Sequence, residues 1–291
     1  MAQELTVVVT GSTGKQGGAV ARGLLARGHK VRAVTRDPSS GQAKSLAKAG
    51  ATLVAASLED RAALTRALDG ATSLFAMTTP FGGGTESETR QGVAAADAAK
   101  AAGVHLVFTS VGSANRQTGI PHFDSKYEVE KHIAKLGGRA TILAPVYFME
   151  NLITFGKEQL AKGIYGGTLP PTSTLAQVAV ADIGAVAVRV LEEPGRFTGR
   201  RFDLASDELT GNDVVAVLSR VIGRPFTYFQ VPLEAIRQRM GEDGVRMAGW
   251  MDRVGYTVDR AELRREFPDV AFQDFESWAK TQNWNALLQS A

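Results

Sequence analysis

Leu5-Thr6-Val7-Val8-Val9-Thr10-Gly11-Ser12-Thr13-Gly14-Lys15-Gln16-Gly17-Gly18 runs from an apolar, β-branched segment straight into a glycine-rich turn. The residues that follow, Gln16–Arg27, are Ala/Leu-rich and read as a helix. A strand, a turn with glycines and a helix, in that order, build a site for a pyrophosphate. Small residues permit the tight turn, the close approach of backbone to ligand and close helix packing, and the phosphates sit on the helix N-terminus. The spacing is G-x-x-G-x-x-G, not the commoner G-x-G-x-x-G. Gly11, Thr13, Gly14, Lys15, Gln16 and Gly17 are therefore the first candidate cofactor-binding residues, against the plainer reading of glycines that serve only a turn.

Outward from this stretch the alternation repeats. Lys30–Thr35, Thr52–Ala55, Ser73–Met77, Leu106–Ser110 and Ala140–Ala144 read as strands, separated by helices Gly41–Ala49, Arg61–Leu68, Glu86–Ala102 and Ser125–Leu136. Parallel strands with right-handed crossovers predict an α/β fold, a doubly wound parallel sheet of Rossmann type. Residues 1–152, together with 176–206, are expected to form the cofactor-binding domain. Residues 153–175 and 207–291 are expected to form a smaller α+β lobe, with Phe155–Pro171 as a lid and a cleft between the lobes as the ligand site. A parallel sheet presents its carboxyl edge to the cofactor, so Met77, Thr78, Thr109 and Ser110 are expected beside it.

The end of the second strand decides which dinucleotide fits. An acid there would hold ribose hydroxyls, but this chain has Thr35-Arg36-Asp37-Pro38. A planar, permanently charged guanidinium suits a 2′-phosphate, so Arg36 points to NADP(H), with Lys15 as a second cation. The competing reading makes Arg36 a solvated charge and Asp37 the ribose acid.

Composition excludes several classes. With 291 residues, 44% hydrophobic and 22% charged, the chain is neither disordered, collagenous nor a coiled coil. The net charge is +3 and the basic residues are scattered, so no direct nucleic-acid partner is expected. There is no Cys, which excludes disulfides, thiolate catalysis and cysteine-ligated zinc. His29, His105, His122 and His132 lack carboxylates at ligand spacing, so no metal is expected, and no G-x-S-x-G elbow occurs. The start carries an acid and no apolar core, and no apolar run approaches the ~18 residues of a membrane span. The expectation is a soluble cytoplasmic protein with no membrane partner. Asp182 reads as a helix N-cap, Gly82-Gly83-Gly84 as a cofactor-side loop or a plain connector, and Trp250, Trp278 and Trp284 as lobe packing.

Four segments in combination, Gly11-x-x-Gly14-x-Gln16-Gly17-Gly18, Thr35-Arg36-Asp37-Pro38, His122-Phe123-Asp124-Ser125-Lys126 and Pro145-Val146-Tyr147-Phe148-Met149-Glu150-Asn151, make the chain resemble the NmrA-like family. Those are atypical, extended-type short-chain dehydrogenase/reductases. Thr210-Gly211-Asn212-Asp213 and Gly223 to Pro232 extend the resemblance into the C-terminal lobe. The resemblance implies NADP(H) binding and one of two activities. One is an NADPH-dependent oxidoreductase reducing a small carbonyl, quinone or activated alkene by hydride transfer. The other is a non-catalytic NADP(H) redox sensor or transcription co-regulator, with a protein partner. Either allows a homo-oligomer.

Better-known short-chain dehydrogenases pair a Tyr with a Lys four residues on. By family register His122 takes the place of that Tyr and Lys126 that of the Lys, so these two are the catalytic candidates, and Lys126 is also implied to hold the nicotinamide ribose. Tyr127 and Lys131, with Ser113 upstream, make a rival pair at the same spacing. The family also implies a nicotinamide pocket at Tyr147, Phe148 and Asn151, against plain core packing.

Overall fold

A computed structural model describes residues 4–289. Its elements begin with β1 (Thr6–Val9), α1 (Lys15–Ala26), β2 (Lys30–Thr35), α2 (Gly41–Lys48), β3 (Thr52–Ala55), α3 (Arg61–Leu68), β4 (Ser73–Met77), α4 (Gly84–Ala102), β5 (His105–Thr109), α5 (Pro121–Leu136) and β6 (Ala140–Pro145). They continue with β7 (Tyr147–Phe148), α6 (Asn151–Ala161), β8 (Ile164–Gly167), β9 (Thr174–Val178), α7 (Val180–Glu192), α8 (Pro194–Phe197), β10 (Arg201–Leu204), β11 (Asp207–Thr210) and α9 (Gly211–Ile222). Last come β12 (Thr227–Gln230), α10 (Leu233–Arg253), α11 (Arg260–Glu266), α12 (Phe275–Lys280) and α13 (Trp284–Gln289).

The chain folds as two compact units. The first takes the chain up to Gln117, Pro121–Ala144 and Ile183–Asp203; the second takes Thr118–Ile120, Pro145–Asp182 and the chain from Leu204 onward. In the first unit a seven-stranded sheet runs in the order β10-β6-β5-β4-β1-β2-β3. β1 pairs in parallel with β2 (Val7 beside Val31) and with β4 (Val7 beside Ser73). The β-branched run Val7-Val8-Val9 is wholly buried, as a strand covered by helices on both faces must be. β10 joins the far edge in the same direction, with the Ile142 N–H donating to the Arg200 carbonyl. Strand order reverses between β1 and β4, which opens a crevice at their carboxyl ends, the general ligand position of such sheets.

One core of this unit packs Val8, Leu74, Ala76, Leu106 and Phe108 of the sheet against Leu64, Leu68, Ala95, Ala96, Ala99, Val129 and Ile133 of α3, α4 and α5. Local signals set the helix ends: Ser40 and Asp60 side chains cap α2 and α3, and Gly103 ends α4 in the left-handed region. α5 begins at Pro121, earlier than the Ser125 start expected from sequence, so His122 lies in its first turn.

The second unit has a three-stranded sheet, β11-β9-β7, and a two-stranded one, β12-β8. Its core gathers Met149, Leu152, Tyr165, Val214, Leu218, Phe226, Phe275, Trp278 and Trp284. The sequence reading placed residues 118–120, 145–152, 176–182 and 204–206 with the first domain, but they lie here. β7 and β9 leave the parallel sheet and pair with each other, Tyr147 beside Gln177, while β9 pairs antiparallel with β11. The expected N-cap role of Asp182 is also replaced. Asp182 lies inside the first turn of α7, buried, where its carboxylate accepts from Ser206 Oγ (2.5 Å), the Gln273 N–H (2.9 Å) and Gln273 Nε2 (3.2 Å). Burial pushes its pKa above the ordinary carboxylate value. No helix among the described residues is long and apolar enough to cross a membrane.

Candidate functional site

The glycine turn is held from both sides. Thr10 Oγ1 accepts from the Met77 N–H (2.8 Å), and Ser12 Oγ donates to the Val34 carbonyl (2.8 Å), tying the turn to β4 and β2. Gly11 takes φ of 58°, and a Cβ there would lie 2.3 Å from Met77 Cε. A Cβ on Gly17 would lie 2.4 Å from the Gly11 carbonyl oxygen and 2.6 Å from that of Thr10, so a side chain there would push the helix off the turn. Gly14 donates its N–H to the Gly11 carbonyl (2.9 Å) and stands at the N-cap of α1 without a side-chain cap.

The start of α1 has neither a side-chain cap nor an acid beside it. The first amides of a helix have no intrahelical acceptor, and α1 has no acid in its first turn. Lys15 is exposed and begins the helix, and Thr13 is half-buried in the turn. Gln16 is held by Thr109, whose Oγ1 donates to Gln16 Oε1 (2.7 Å). Such an arrangement can receive a diphosphate, because N–H dipoles and glycine-lined space meet at one point.

Arg36 follows the last residue of β2 and is exposed, making no hydrogen bond or ion pair to the described residues. The competing acid, Asp37, is engaged by its own loop. Its carboxylate accepts from the Ser39 N–H (2.8 Å) and Ser39 Oγ (2.6 Å), and these bonds hold its pKa below the ordinary value.

At the carboxyl ends of β4 and β5 the structure brings Lys126 to Thr78 and Thr109. Lys126 Nζ donates to the Thr78 carbonyl (3.1 Å), Thr78 Oγ1 (3.3 Å) and the Thr109 carbonyl (3.4 Å), and pairs with Glu88 Oε1 at 3.0 Å. Its side chain is 13% exposed. His122 lies one turn earlier on α5, half-buried, with its ring edge-on to Phe123 at 4.8 Å. Ser110 is buried and donates its Oγ to Glu130, which also accepts from Arg201 Nε (2.9 Å). Lys131, of the rival pair, is 45% exposed and bound to Glu128 at 2.6 Å, with its ammonium 5.5 Å from the Tyr127 ring centre.

Tyr147, Phe148 and Asn151 belong to the second unit, on β7 and at the first position of α6, each half-buried. Burial, then the neighbouring Tyr228, pushes the Tyr147 phenol up to about 12. The remaining histidines have structural partners: His29 with Glu192, His105 with Thr141 and His132 with Asp97.

Sequence reasoning did not single out Glu88. Its signal is faint but physical: on α4 the buried stripe is Glu88, Gly92, Ala95, Ala96 and Ala99, so an acid falls in line with small residues at helical spacing.

The NmrA-like family model matches residues 3–279. Quinone oxidoreductase 2 of Escherichia coli is 31% identical over 226 residues, covering 76% of each chain. The solved structure of an NADPH-dependent quinone oxidoreductase from the same organism, complexed with NADPH, superposes with a TM-score of 0.79 at 25% identity, covering 94% of this chain and 98% of that one. The nitrogen metabolite repression protein nmrA of Emericella nidulans is 28% identical over 251 residues, covering 81% of this chain and 70% of that one.

Proposed function

The chain belongs to the NmrA-like family, and from that premise we propose that it is an NADPH-dependent reductase acting on a small carbonyl, quinone or activated alkene. The observation that carries this reading is the Lys126 ammonium, largely buried at the ends of β4 and β5 and joined through Thr109 and Gln16 to the helix that follows the glycine turn. The residues present fit a dinucleotide: Gly17 lets α1 close onto the turn, where a Cβ would meet the Gly11 carbonyl at 2.4 Å, and α1 has neither a side-chain cap nor an acid in its first turn. Arg36 is the group for the 2′-phosphate, because the Asp37 carboxylate is committed to Ser39. Gly11, Thr13, Gly14, Lys15 and Gln16 serve the phosphates, and Met77, Thr78, Thr109 and Ser110 form the edge beside the cofactor.

A bound NADPH supplies the hydride. Reduction of a carbonyl then leaves negative charge on oxygen, and that oxygen needs a positive neighbour and a proton. Lys126 Nζ supplies both: the N–H bond breaks, the proton goes to the oxygen, and the neutral amine regains a proton from water. His122, one turn earlier on the same helix, is the second candidate donor.

A second reading, a non-catalytic NADP(H) sensor, has its own observation. An ammonium has three N–H donors, and the chain sets four acceptors within 3.4 Å of Lys126 Nζ, enough to occupy it without any substrate. The test is oxidation of NADPH by purified protein against a panel of quinones, aldehydes and activated alkenes. Turnover with any of them supports the reductase. Tight NADPH binding with no turnover across the panel replaces it with the sensor.

A further inference from the structure

We propose that Glu88 is a positioning residue that keeps the Lys126 ammonium charged and aimed at the ends of β4 and β5, acting through Lys126 and not on the substrate. The catalytic consequence rests on the reductase reading; the control of charge does not.

Glu88 is 0% exposed, a place where an ionised carboxylate survives only with partners. Its Oε1 lies 3.0 Å from Lys126 Nζ and accepts from Thr78 Oγ1 (3.4 Å), and its Oε2 accepts from Ser125 Oγ (2.6 Å). The helix pairing explains how these groups meet. Gly92 lets α4 approach α5 so closely that a Cβ there would sit 2.4 Å from Val129 Cγ2. One turn earlier on both helices, the same approach sets Glu88 against Ser125 and Lys126.

Helix packing alone does not ask for an acid here. The rest of the stripe is Gly and Ala, and the Ser125 hydroxyl has a local acceptor in the His122 carbonyl (3.2 Å). Lys126 does need one. A mostly buried ammonium needs a counter-charge: the Phe108 ring face 5.7 Å away offers only a weak cation–π attraction, and the carbonyls of Thr78 and Thr109 aim it without neutralising it. Neither neighbouring turn of α5 offers a free negative charge: His122, one turn back, carries none, and Glu130, one turn forward, is committed to Arg201 and Ser110.

The test is Glu88→Gln, which keeps one acceptor oxygen for Ser125 and removes the charge beside Lys126. The Lys126 pKa is read by NMR titration of lysine labelled at Cε and Nζ, on the full-length protein free and with NADP+ bound. The expected result is a fall of about one unit or more, a tenfold loss in proton affinity, the usual scale for removing an opposite charge at this distance. The alkaline limb of kcat should move down by the same interval, with Glu88→Asp recovering part of it. A Lys126 pKa unchanged in Glu88→Gln overturns the proposal. Should that variant fail to fold, the double variant Glu88→Gln/Lys126→Met decides: recovery of folding supports the pairing, and equal failure assigns Glu88 to the scaffold and overturns it. A protein that reduces nothing in the panel removes the reductase reading, while the titration still decides the role of Glu88.

Discussion

Two lysines on opposite faces of α5 have the same motif spacing and different environments. His122 with Lys126 and Tyr127 with Lys131 are both pairs four residues apart, and the five-residue offset between the pairs rotates one from the other by ~140° around the helix. Lys126 is 13% exposed, with a wholly buried acid and two strand-end residues around it, whereas Lys131 is 45% exposed and meets Glu128 on the surface. Spacing alone therefore cannot choose between them. What separates the pairs is which face of the helix lies against the sheet and α4, and the energetic scale follows from that burial. A solvated pair is worth little, while a buried charge that loses its partner is costly.

The largest expected effect breaks the buried pair. Lys126→Ala leaves Glu88 buried without its cation and should lower unfolding free energy by about 3–5 kcal/mol, measured by denaturant titration. A loss below about 1 kcal/mol would show that Glu88 is not ionised in the native state.

His105 sharpens the comparison, because it is a buried group that stays neutral instead of pairing. Desolvation, then the charge of Arg139, lowers its pKa to about 4 from 6.5. Between those values the unfolded chain binds the proton and the native state does not, so stability falls as pH drops from 6.5 through 4. The total is at most about 3 kcal/mol. His105→Leu should flatten that part of the stability profile; an unchanged slope assigns it to other groups.

Arg36 extends the contrast to an exposed cation whose partner is a ligand. Arg36→Ala should weaken NADPH binding by ~1.5–3 kcal/mol and leave NADH binding nearly unchanged, as loss of a charge-assisted pair to the 2′-phosphate would. Calorimetric titration with both cofactors checks it, and equal affinity of the parent protein for the two would rule out the assignment. The smallest effect belongs to the outer face. Lys131→Ala and Tyr127→Phe should each change stability by less than about 0.5 kcal/mol and leave turnover within a factor of two. If Tyr127→Phe abolishes turnover and Lys126→Ala does not, the two faces must exchange roles.

The glycine turn was legible because its constraints are local. Gly11 adopts a conformation open to glycine, and Gly17 is in contact with the backbone six residues before it. The alternation of strands and helices likewise predicts a parallel sheet, since β-branched runs and Ala/Leu-rich segments report burial over a few residues at a time. The change of sheet at Tyr147 was not legible, because β7 and β9 pair across thirty residues, Tyr147 to Gln177, through backbone groups that carry no side-chain signature. Asp182 looked like a cap because caps are local, whereas its partners are Ser206 and Gln273.

The strand–helix alternation, the glycine turn and the cation that follows β2 can be read from the residues alone, since each is dictated by neighbours within one element. Only packing brings an acid to Lys126. Its carboxylate comes from 38 residues earlier in the chain, as the separation of Glu88 from Lys126 in the numbering requires. It arrives because Gly92 lets α4 close on Val129 of α5. Charge interactions depend on distance and burial, and both are set by packing that no single segment encodes.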